Sequence, residues 1–132
     1  GAESSATSQK LPPLAKEALA QLQAYFRGEL KTFSFPIQQS GSDFQQKVWT
    51  ELQKIPFGKT ASYLHLAKAV ADEKSTRAVG NANGKNAIAI VVPCHRIIGE
   101  SGKLVGYAGG LWRKDWLLKH EAKIAHGVQY LF

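Results

Sequence analysis

Apolar residues recur at helical spacing near the start of the chain. They predict a helix over residues 14–27, which Gly28 would end. Its inward positions are Leu14, Ala18, Leu22 and Tyr25 or Phe26. Residues 31–37 alternate in polarity and predict a short extended segment, which Pro36 interrupts because proline lacks a backbone N–H.

A second helix is predicted to begin near Asp43. Asp43 at the N-cap position and Gln46 three residues later fit a capping box. The apolar stripe of this helix consists of Phe44, Val48 and Leu52, joined by Trp49. The turn-forming residues 56–58 end it.

Two further helices follow on a tight connection. The first is predicted over residues 61–71 and the second over 76–82, with Ser75 as its N-cap. Residues 83–84, Asn-Gly, favour a left-handed stop. The inward positions of the first helix are Tyr63, Leu64, Ala67 and Val70. Two short helices on a tight turn in a basic segment indicate a helix-turn-helix.

The remaining apolar segments are short. Residues 87–92 form a continuous apolar run, which predicts a buried strand or extended segment. Residues 97–105 resemble a small hairpin with a turn over 99–102. A glycine-rich loop covers 106–110, and an amphipathic helix is predicted over about 111–122. The elements together predict a mainly α fold with a short β hairpin.

Composition narrows the class of protein. The net charge of +7 favours a polyanionic partner, with nucleic acid as the first candidate. The basic residues in the middle of the chain are Lys59, Lys68, Lys74, Arg77, Lys85, Arg96 and Lys103. No apolar run approaches the roughly 20 residues needed to span a bilayer, and the first ten residues show no secretory signal. A single cysteine suits a reducing, intracellular compartment.

That cysteine, Cys94, has neighbours that favour chemistry over packing. It follows Pro93 and precedes His95 and Arg96, whereas a structural cysteine normally lies within an apolar element. Two basic residues beside the thiol would favour the nucleophilic thiolate. His95 is the nearest candidate base, reached directly or through a water, and Glu121 is available to orient the imidazole. The loop 106–110 could line a pocket with backbone N–H groups.

Several strings of the chain match one known family. In order, they are Phe44-Gln45 with Val48-Trp49, Ile55-Pro56-Phe57-Gly58, Ser62-Tyr63, Arg77-Ala78-Val79-Gly80, Asn83-Gly84-Lys85-Asn86, Pro93-Cys94-His95-Arg96-Ile97-Ile98-Gly99, Gly106-Tyr107-Ala108-Gly109-Gly110, and Leu117-Leu118 with His120-Glu121. Over about 43–121 the chain resembles the DNA-binding and active-site domain of the O6-alkylguanine-DNA alkyltransferases. The resemblance implies a winged-helix-like helix-turn-helix domain that carries the active-site cysteine.

The resemblance also implies a reaction and a set of site residues. Such a protein binds duplex DNA in the minor groove, flips out an O6-alkylguanine and moves the alkyl group permanently onto Cys94, so that each molecule acts once and no cofactor or metal is needed. His95 would take the thiol proton through a water, Glu121 would hold His95, and Asn86 would support the active-site turn. Tyr63 would help to rotate the nucleotide and donate toward the leaving guanine. The implied pocket residues are Pro93, Ile97, Tyr107, Ala108 and Gly109.

For DNA, the resemblance implies that Arg77 enters the stack in place of the flipped base. The other implied DNA contacts are Tyr63, Ser75, Thr76, Ala78, Gly80, Asn83, Gly84, Lys85 and Arg96. The expected partner is double-stranded DNA, and no membrane is expected. The protein is expected to be a monomer in the cytoplasm, at the nucleoid, or in the nucleus.

The chain departs from the family in two ways. Ala87 follows Asn86 where the family usually has proline, which removes a rigid φ from the active-site turn. Family members usually carry an N-terminal α/β domain, and only its last helix is recognisable. The expected organisation is a flexible lead over 1–13, a remnant of that domain over 14–40, the alkyltransferase domain over 41–125 and a tail over 126–132.

Two other functions remain open at this point. One is a module that binds alkylated lesions without transfer, as in alkyltransferase-like proteins, although these typically replace the cysteine. The other is a thiol hydrolase that uses Cys94 and His95 and turns over.

Overall fold

A computed structural model describes residues 11–100, 102 and 104–127 and divides the chain into two units, which meet between Gln38 and Gln39. Most of the expected lead and tail therefore lies outside the described residues. The first unit contains α1, Pro13–Phe26, with a proline in its first turn. Gln21 on α1 accepts from the backbone N–H of Ser34 at 2.9 Å. The predicted alternation over 31–37 forms no strand, since residues 31–37 are bends and coil.

The second unit begins with α2, Asp43–Leu52. The capping box is present but lies one residue earlier than predicted, because Ser42 is the N-cap and Gln45 the third helical residue. The indole N–H of Trp49 donates to the Ala82 carbonyl at 2.9 Å, which ties α2 to a later helix.

The helix pair has the predicted order. Helix α3 spans Tyr63–Val70 and is capped by the Ser62 hydroxyl, a 3₁₀ turn covers Glu73–Ser75, and α4 spans Thr76–Gly84. Helices α2, α3 and α4 pack against one another.

Several details of the predicted pair are wrong. The first helix begins at Tyr63 rather than at residue 61, and its buried positions are Leu66 and Ala67, so that only Ala67 of the predicted inward residues is buried. Ser75 does not cap α4 with its side chain; instead, the Asp72 carboxylate accepts from the Lys74 N–H at 2.8 Å and caps the turn before it. The left-handed stop at 83–84 is absent, because α4 runs through Gly84 and ends on Lys85 with a right-handed φ of −90°.

The strand pairing also differs from the prediction. Strands β1, Ala61–Ser62, and β2, Ile97–Ile98, pair in parallel, with Ala61 opposite Ile97. The predicted hairpin is wrong, since Leu104 and Val105 form no strand and β2 pairs with the residues that precede α3. Ser101 and Lys103 lie outside the described residues. The mainly α fold class is confirmed.

The apolar run 87–92 is not a strand either. It folds into consecutive turns, and Ile90 has a φ of 74°. The Val92 N–H donates to the Ile88 carbonyl at 3.0 Å. The backbone hydrogen bonds of the run therefore form within the run rather than with a sheet. The run ends two residues before Cys94.

The last helix, α5, spans Leu111–His126 and ends at Gly127, whose φ of 67° is left-handed. It is four residues longer than predicted. Its buried positions are Lys114, Leu117, Leu118, Glu121 and Ala122. Two of these five side chains are ionisable. Among the described residues, no helix has both the length and the apolar character required to cross a bilayer.

Candidate active site

Cys94 opens a 3₁₀ turn, Cys94–Arg96, and is almost fully buried. Pro93 interrupts the regular backbone before it, so the thiol points from a turn rather than from a strand. Burial raises the pKa of the Cys94 thiol, and a hydrogen bond from Asn86 and the positive charge of Lys114 offset this only in part. The expectation that its neighbours favour the thiolate is therefore wrong for the resting protein. The thiol rests protonated and needs a base.

His95 and Glu121 form a buried pair across 26 positions of the chain. His95 Nε2 lies 2.7 Å from Glu121 Oε2, and neither side chain is more than 1% exposed. Burial lowers the pKa of His95 more than Glu121 raises it, so the imidazole rests neutral. Because a carboxylate only accepts, this geometry assigns the proton to Nε2 and leaves Nδ1 as an acceptor. Nδ1 is buried and has no hydrogen-bond partner among the described residues.

Glu121 is held from three directions. Besides His95, it accepts from Arg96 Nε at 2.8 Å and Nη2 at 3.0 Å, and from the Gly58 N–H at 3.2 Å. Burial raises the pKa of Glu121, but the hydrogen bonds from His95 and Arg96 outweigh it and bring the pKa to about 2. Glu121 is therefore a permanent carboxylate. Gly58 has a φ of +79°, and a side-chain carbon there would lie 2.6 Å from Ala125 Cβ, so the position requires glycine.

Arg96 corrects one of the predicted DNA contacts. Its side chain is 7% exposed, is ion-paired with Glu121 and donates to the Ile55 carbonyl at 2.6 Å. The guanidinium also lies 5.8 Å from the centre of the Phe57 ring. A buried, paired guanidinium is not available to a phosphate, so Arg96 belongs to the interior of the site.

Asn86 organises the turn that leads to the cysteine. Its Nδ2 donates to the Val92 carbonyl at 2.8 Å, and its Oδ1 accepts from the Ile88 N–H at 3.1 Å. Gln39 donates to the same Oδ1 at 2.9 Å and accepts from the Ala87 N–H at 3.0 Å. Alanine in place of the family's proline thus supplies an N–H that Gln39 uses, and a hydrogen bond replaces a rigid ring.

Two tyrosines, Tyr63 and Tyr107, lie near Cys94. The Tyr63 hydroxyl donates to the Val105 carbonyl at 3.2 Å. Burial, then the proximity of Cys94, raises the pKa of Tyr63, and the same causes raise the pKa of Tyr107 to about 12. Both phenols therefore keep their protons and can donate. A side-chain carbon at Gly109 would lie 2.9 Å from Tyr107 Cε2, so this loop position must stay small.

The other predicted pocket residues lie around this arrangement. Pro93 and Ile97 are buried on either side of the turn, whereas Ala108 is exposed in the loop. Among the described residues, no three His, Cys, Asp or Glu side chains cluster as metal ligands.

Lys114 is a residue that sequence reasoning missed. Its side chain is fully buried, and its ammonium donates to the carbonyls of Val105 at 2.9 Å and Gly106 at 3.2 Å. Burial lowers the pKa of Lys114 to about 8, and Cys94 acts in the opposite direction. The helical register contains the signal, because Lys114 lies three and seven residues before the inward Leu117 and Glu121.

The predicted DNA contacts on α4 fall into two sets. The exposed members are Arg77, Ala78, Gly84 and Lys85, whereas Ser75, Thr76 and Gly80 are half-buried. We call the exposed four the α4 face, and it carries no carboxylate. Asn83 is buried, and its side chain interacts with the Tyr63 hydroxyl. The Asn83 side chain is therefore directed into the protein, and a DNA contact by Asn83 stays a prediction for its backbone. A side-chain carbon at Gly80 would lie 3.8 Å from the Tyr63 ring, so α4 passes close to Tyr63.

Comparisons with known proteins place this geometry in a family. Residues 43–123 match the family model described as 6-O-methylguanine DNA methyltransferase, DNA binding domain. The chain is 53% identical over 106 residues to the methylated-DNA–protein-cysteine methyltransferase of Methanosarcina acetivorans, covering 80% of this chain and 68% of the relative. It is 53% identical over 103 residues to the constitutive enzyme of Bacillus subtilis, covering 78% and 62%.

Solved structures agree. The crystal structure of Mycobacterium tuberculosis OGT in complex with DNA is 52% identical with a TM-score of 0.80, covering 82% of this chain and 66% of that one. S. pombe Atl1, in complex with damaged DNA containing O6-carboxymethylguanine, is 29% identical with a TM-score of 0.55, covering 63% and 79%. The chain spans about two thirds of the length of the methyltransferases it matches. It belongs to the 6-O-methylguanine DNA methyltransferase family and carries that family's DNA-binding domain.

Proposed function

We propose that this chain repairs duplex DNA by transferring an alkyl group from the O6 atom of guanine to Cys94, once per molecule. The observation that carries the proposal is the buried His95–Glu121 pair directly after the buried Cys94, in which the neutral imidazole keeps an unused acceptor at Nδ1. The names of the relatives, which are methylated-DNA–protein-cysteine methyltransferases, support the same chemistry.

In the proposed reaction, the thiol proton of Cys94 passes through a water to His95 Nδ1. Glu121, already ionised, stabilises the imidazolium that forms. The sulfur attacks the alkyl carbon from the side opposite O6, the carbon–oxygen bond breaks, and its electron pair stays on guanine. Tyr63 donates a hydrogen bond to the leaving guanine, which finally takes up the proton. The transfer needs no outside redox partner, because one S–C bond replaces one C–O bond.

The product explains why the reaction stops after one event. The thiolate is a poor leaving group from a thioether, and a displacement that restored the thiol would need a second nucleophile aimed at the same carbon. The chain offers one thiol, so we expect one alkyl group for each molecule. This is direct reversal of damage with the protein as a co-substrate.

DNA would be held by the α4 face in the minor groove, and Arg77 would fill the space that the extruded base leaves. Flipping costs a few kcal/mol and is easiest for a weakly paired base, which favours the lesion. Minor-groove contacts read sequence poorly, so repair should depend little on the flanking bases. The base would enter the pocket between Pro93, Ile97 and the loop residues Tyr107, Ala108 and Gly109. With this function we expect the protein at the nucleoid or in the nucleus, and we expect it to act as a monomer.

Mass spectrometry of the intact protein after mixing with O6-methylguanine DNA tests the proposal. We expect one methyl group per chain, located on Cys94, and none on Cys94→Ser. Methyl groups that remain on the DNA, or that appear on another residue, would overturn it.

The binding-only function has one specific observation in its favour, the likeness to Atl1 in its complex with damaged DNA. It predicts tight binding to the lesion with no gain in mass. The hydrolase function predicts a progress curve on ester substrates that continues past one equivalent. The two measurements separate both alternatives from stoichiometric transfer.

A further inference from the structure

Arg96 is the one buried side chain in the Cys94–Arg96 turn to which the proposed reaction gives no part. Each of its three guanidinium nitrogens has an acceptor within 3.0 Å: Nε and Nη2 bind the two oxygens of Glu121, and Nη1 binds the Ile55 carbonyl. Such a planar, two-point contact fixes the orientation of a carboxylate as well as its charge.

The clamp limits what Glu121 can offer to His95. Oε1 is occupied by Arg96 Nε and the Gly58 N–H, and Oε2 by Arg96 Nη2 and His95 Nε2. A carboxylate held in this way cannot rotate freely, and it cannot act as a donor while it is ionised. His95 must therefore donate from Nε2, which leaves Nδ1 as its proton acceptor.

We propose that Arg96 is a positioning residue for alkyl transfer: its clamp on Glu121 locks the His95 tautomer with Nδ1 free, and its positive charge opposes protonation of the imidazole. The inference rests on the proposed alkyl-transfer function. It gives the arginine beside the reactive cysteine a role inside the catalytic network, with no contact to substrate.

The charges around His95 support the second half of the proposal. Glu121 and Lys114 act on His95 from α5, and Arg96 acts on it from the same turn. Cys94 adjoins His95 in the chain, and Tyr63 and Tyr107 lie near that thiol. Burial is the largest cause that lowers the pKa of His95. Glu121 raises this pKa, and the positive charges of Arg96 and Lys114 lower it further. Removing Arg96 would leave the carboxylate without its guanidinium and would favour the imidazolium, which cannot accept the thiol proton.

The test compares wild type, Arg96→Met and Arg96→Lys in the full chain. Arg27→Met is the matched control, because Arg27 pairs with Glu29 in an exposed ion pair. Nuclear magnetic resonance of ¹⁵N-labelled histidine follows the tautomer and titration of His95, and second-order rate constants with free O6-benzylguanine are measured from acidic to alkaline pH. The free base removes DNA binding from the measurement.

We expect wild-type His95 to carry its proton on Nε2 and to stay neutral down to acidic pH. In Arg96→Met, the pKa of His95 should rise, which lowers the rate about tenfold on the acidic limb and lets the rates converge at high pH. Arg96→Lys keeps the charge without the two-point contact and should fall between them. Arg27→Met should match wild type.

An equal loss of rate at every pH, with the His95 titration unchanged, would overturn the proposal and leave Arg96 with a purely structural role. If Arg96→Met does not fold, the titration and acidic limb of Arg96→Lys decide the matter in the same way. If wild type transfers no alkyl group at all, the proposed function fails, yet the histidine spectra still show whether Arg96 controls the tautomer.

Discussion

Two arginines, Arg77 and Arg96, lie in the same basic segment of the chain, yet their side chains have opposite surroundings. Arg96, beside the reactive cysteine, is buried, and all three of its guanidinium nitrogens are hydrogen-bonded. Arg77, in the helix before it, is exposed on the α4 face. A buried guanidinium requires a fixed carboxylate, whereas an exposed one stays available to a phosphate or to the interior of a base stack.

The difference separates two tasks. We expect the interior network around Glu121 to prepare the thiol and to matter for any alkylated substrate, free or in DNA. The α4 face should matter only when the substrate must be taken out of a duplex. Each of the following changes tests one side of this division.

The largest effect should come from Glu121→Gln. The substitution leaves Arg96 buried without its counter-charge, so we expect the free energy of unfolding to fall by about 3–5 kcal/mol. The reaction with free O6-benzylguanine should slow by about a hundredfold, because His95 loses the partner that stabilises its charged form. Urea denaturation and single-turnover kinetics measure the two effects.

A matched control is Asp115→Asn, since Asp115 pairs with Lys119 in a part-exposed i,i+4 ion pair. Asp115→Asn should lower the free energy of unfolding by less than about 1 kcal/mol. Equal losses for the two substitutions would mean that the buried Glu121 network stabilises the fold no more than a surface ion pair does.

Acid should remove the contribution of ionised Glu121 to the free energy of unfolding within a defined pH range. The folded pKa of about 2 lies below the ordinary value of 4.5, so the charged form stabilises the fold above pH 4.5. This contribution, about 3 kcal/mol, should be lost as the pH falls from 4.5 toward 2. Urea midpoints measured across this range should therefore fall more steeply for wild type than for Glu121→Gln. A difference between the two proteins that does not change with pH would contradict the assignment.

Asn86→Ala should have a smaller effect on stability. It leaves the Ile88 N–H without its acceptor and takes one of two donors from the Val92 carbonyl, which keeps its bond from the Cys94 N–H, at a cost of about 1–3 kcal/mol. Because the same turn presents Cys94, the rate with the free base should fall as well. The exposed Asn81→Ala provides the control for stability and should stay within about 0.5 kcal/mol of wild type in urea denaturation. If Asn86→Ala and Asn81→Ala had the same stability and the same rate, Asn86 would have no role in the site.

The smallest effect should be on the salt dependence of DNA binding. Lys85→Gln removes a charge from the α4 face, so the slope of log affinity against log salt should fall in magnitude by about one. Lys123→Gln, an exposed position near the end of α5, should leave the slope unchanged. Binding measured at several salt concentrations decides between them, and equal slopes for all three proteins would argue against the α4 face.

Part of this site could be predicted from the sequence. Cys94 and His95 stand in a motif that also defines the family, and Glu121 follows at a matching distance, so their convergence was expected. Arg96 could not be assigned correctly, because its position in a tight turn depends on a carboxylate 25 residues away. Lys114 looked like an ordinary helix lysine until the packing of α5 placed it inside.

The fold shows the same division between local and distant causes. Helix positions followed from apolar spacing, and the errors at their ends came from competition between neighbouring caps, as with Ser42 and Asp43. The run 87–92 has the composition of a strand, but Asn86 and internal bonds fold it into turns. The prediction of a hairpin was wrong because β2 pairs with a strand 36 positions earlier in the chain, at Ala61. Long-range pairing of two-residue strands leaves no local pattern.

The most direct test of the division of labour is the ratio of two rate constants, one for duplex DNA that contains O6-methylguanine and one for free O6-benzylguanine. For Arg77→Ala, the account predicts a loss of about tenfold on the duplex, the equivalent of about 1.4 kcal/mol, with the free base unaffected. For Glu121→Gln, it predicts comparable losses on both substrates. Equal losses on both substrates for Arg77→Ala would contradict the account.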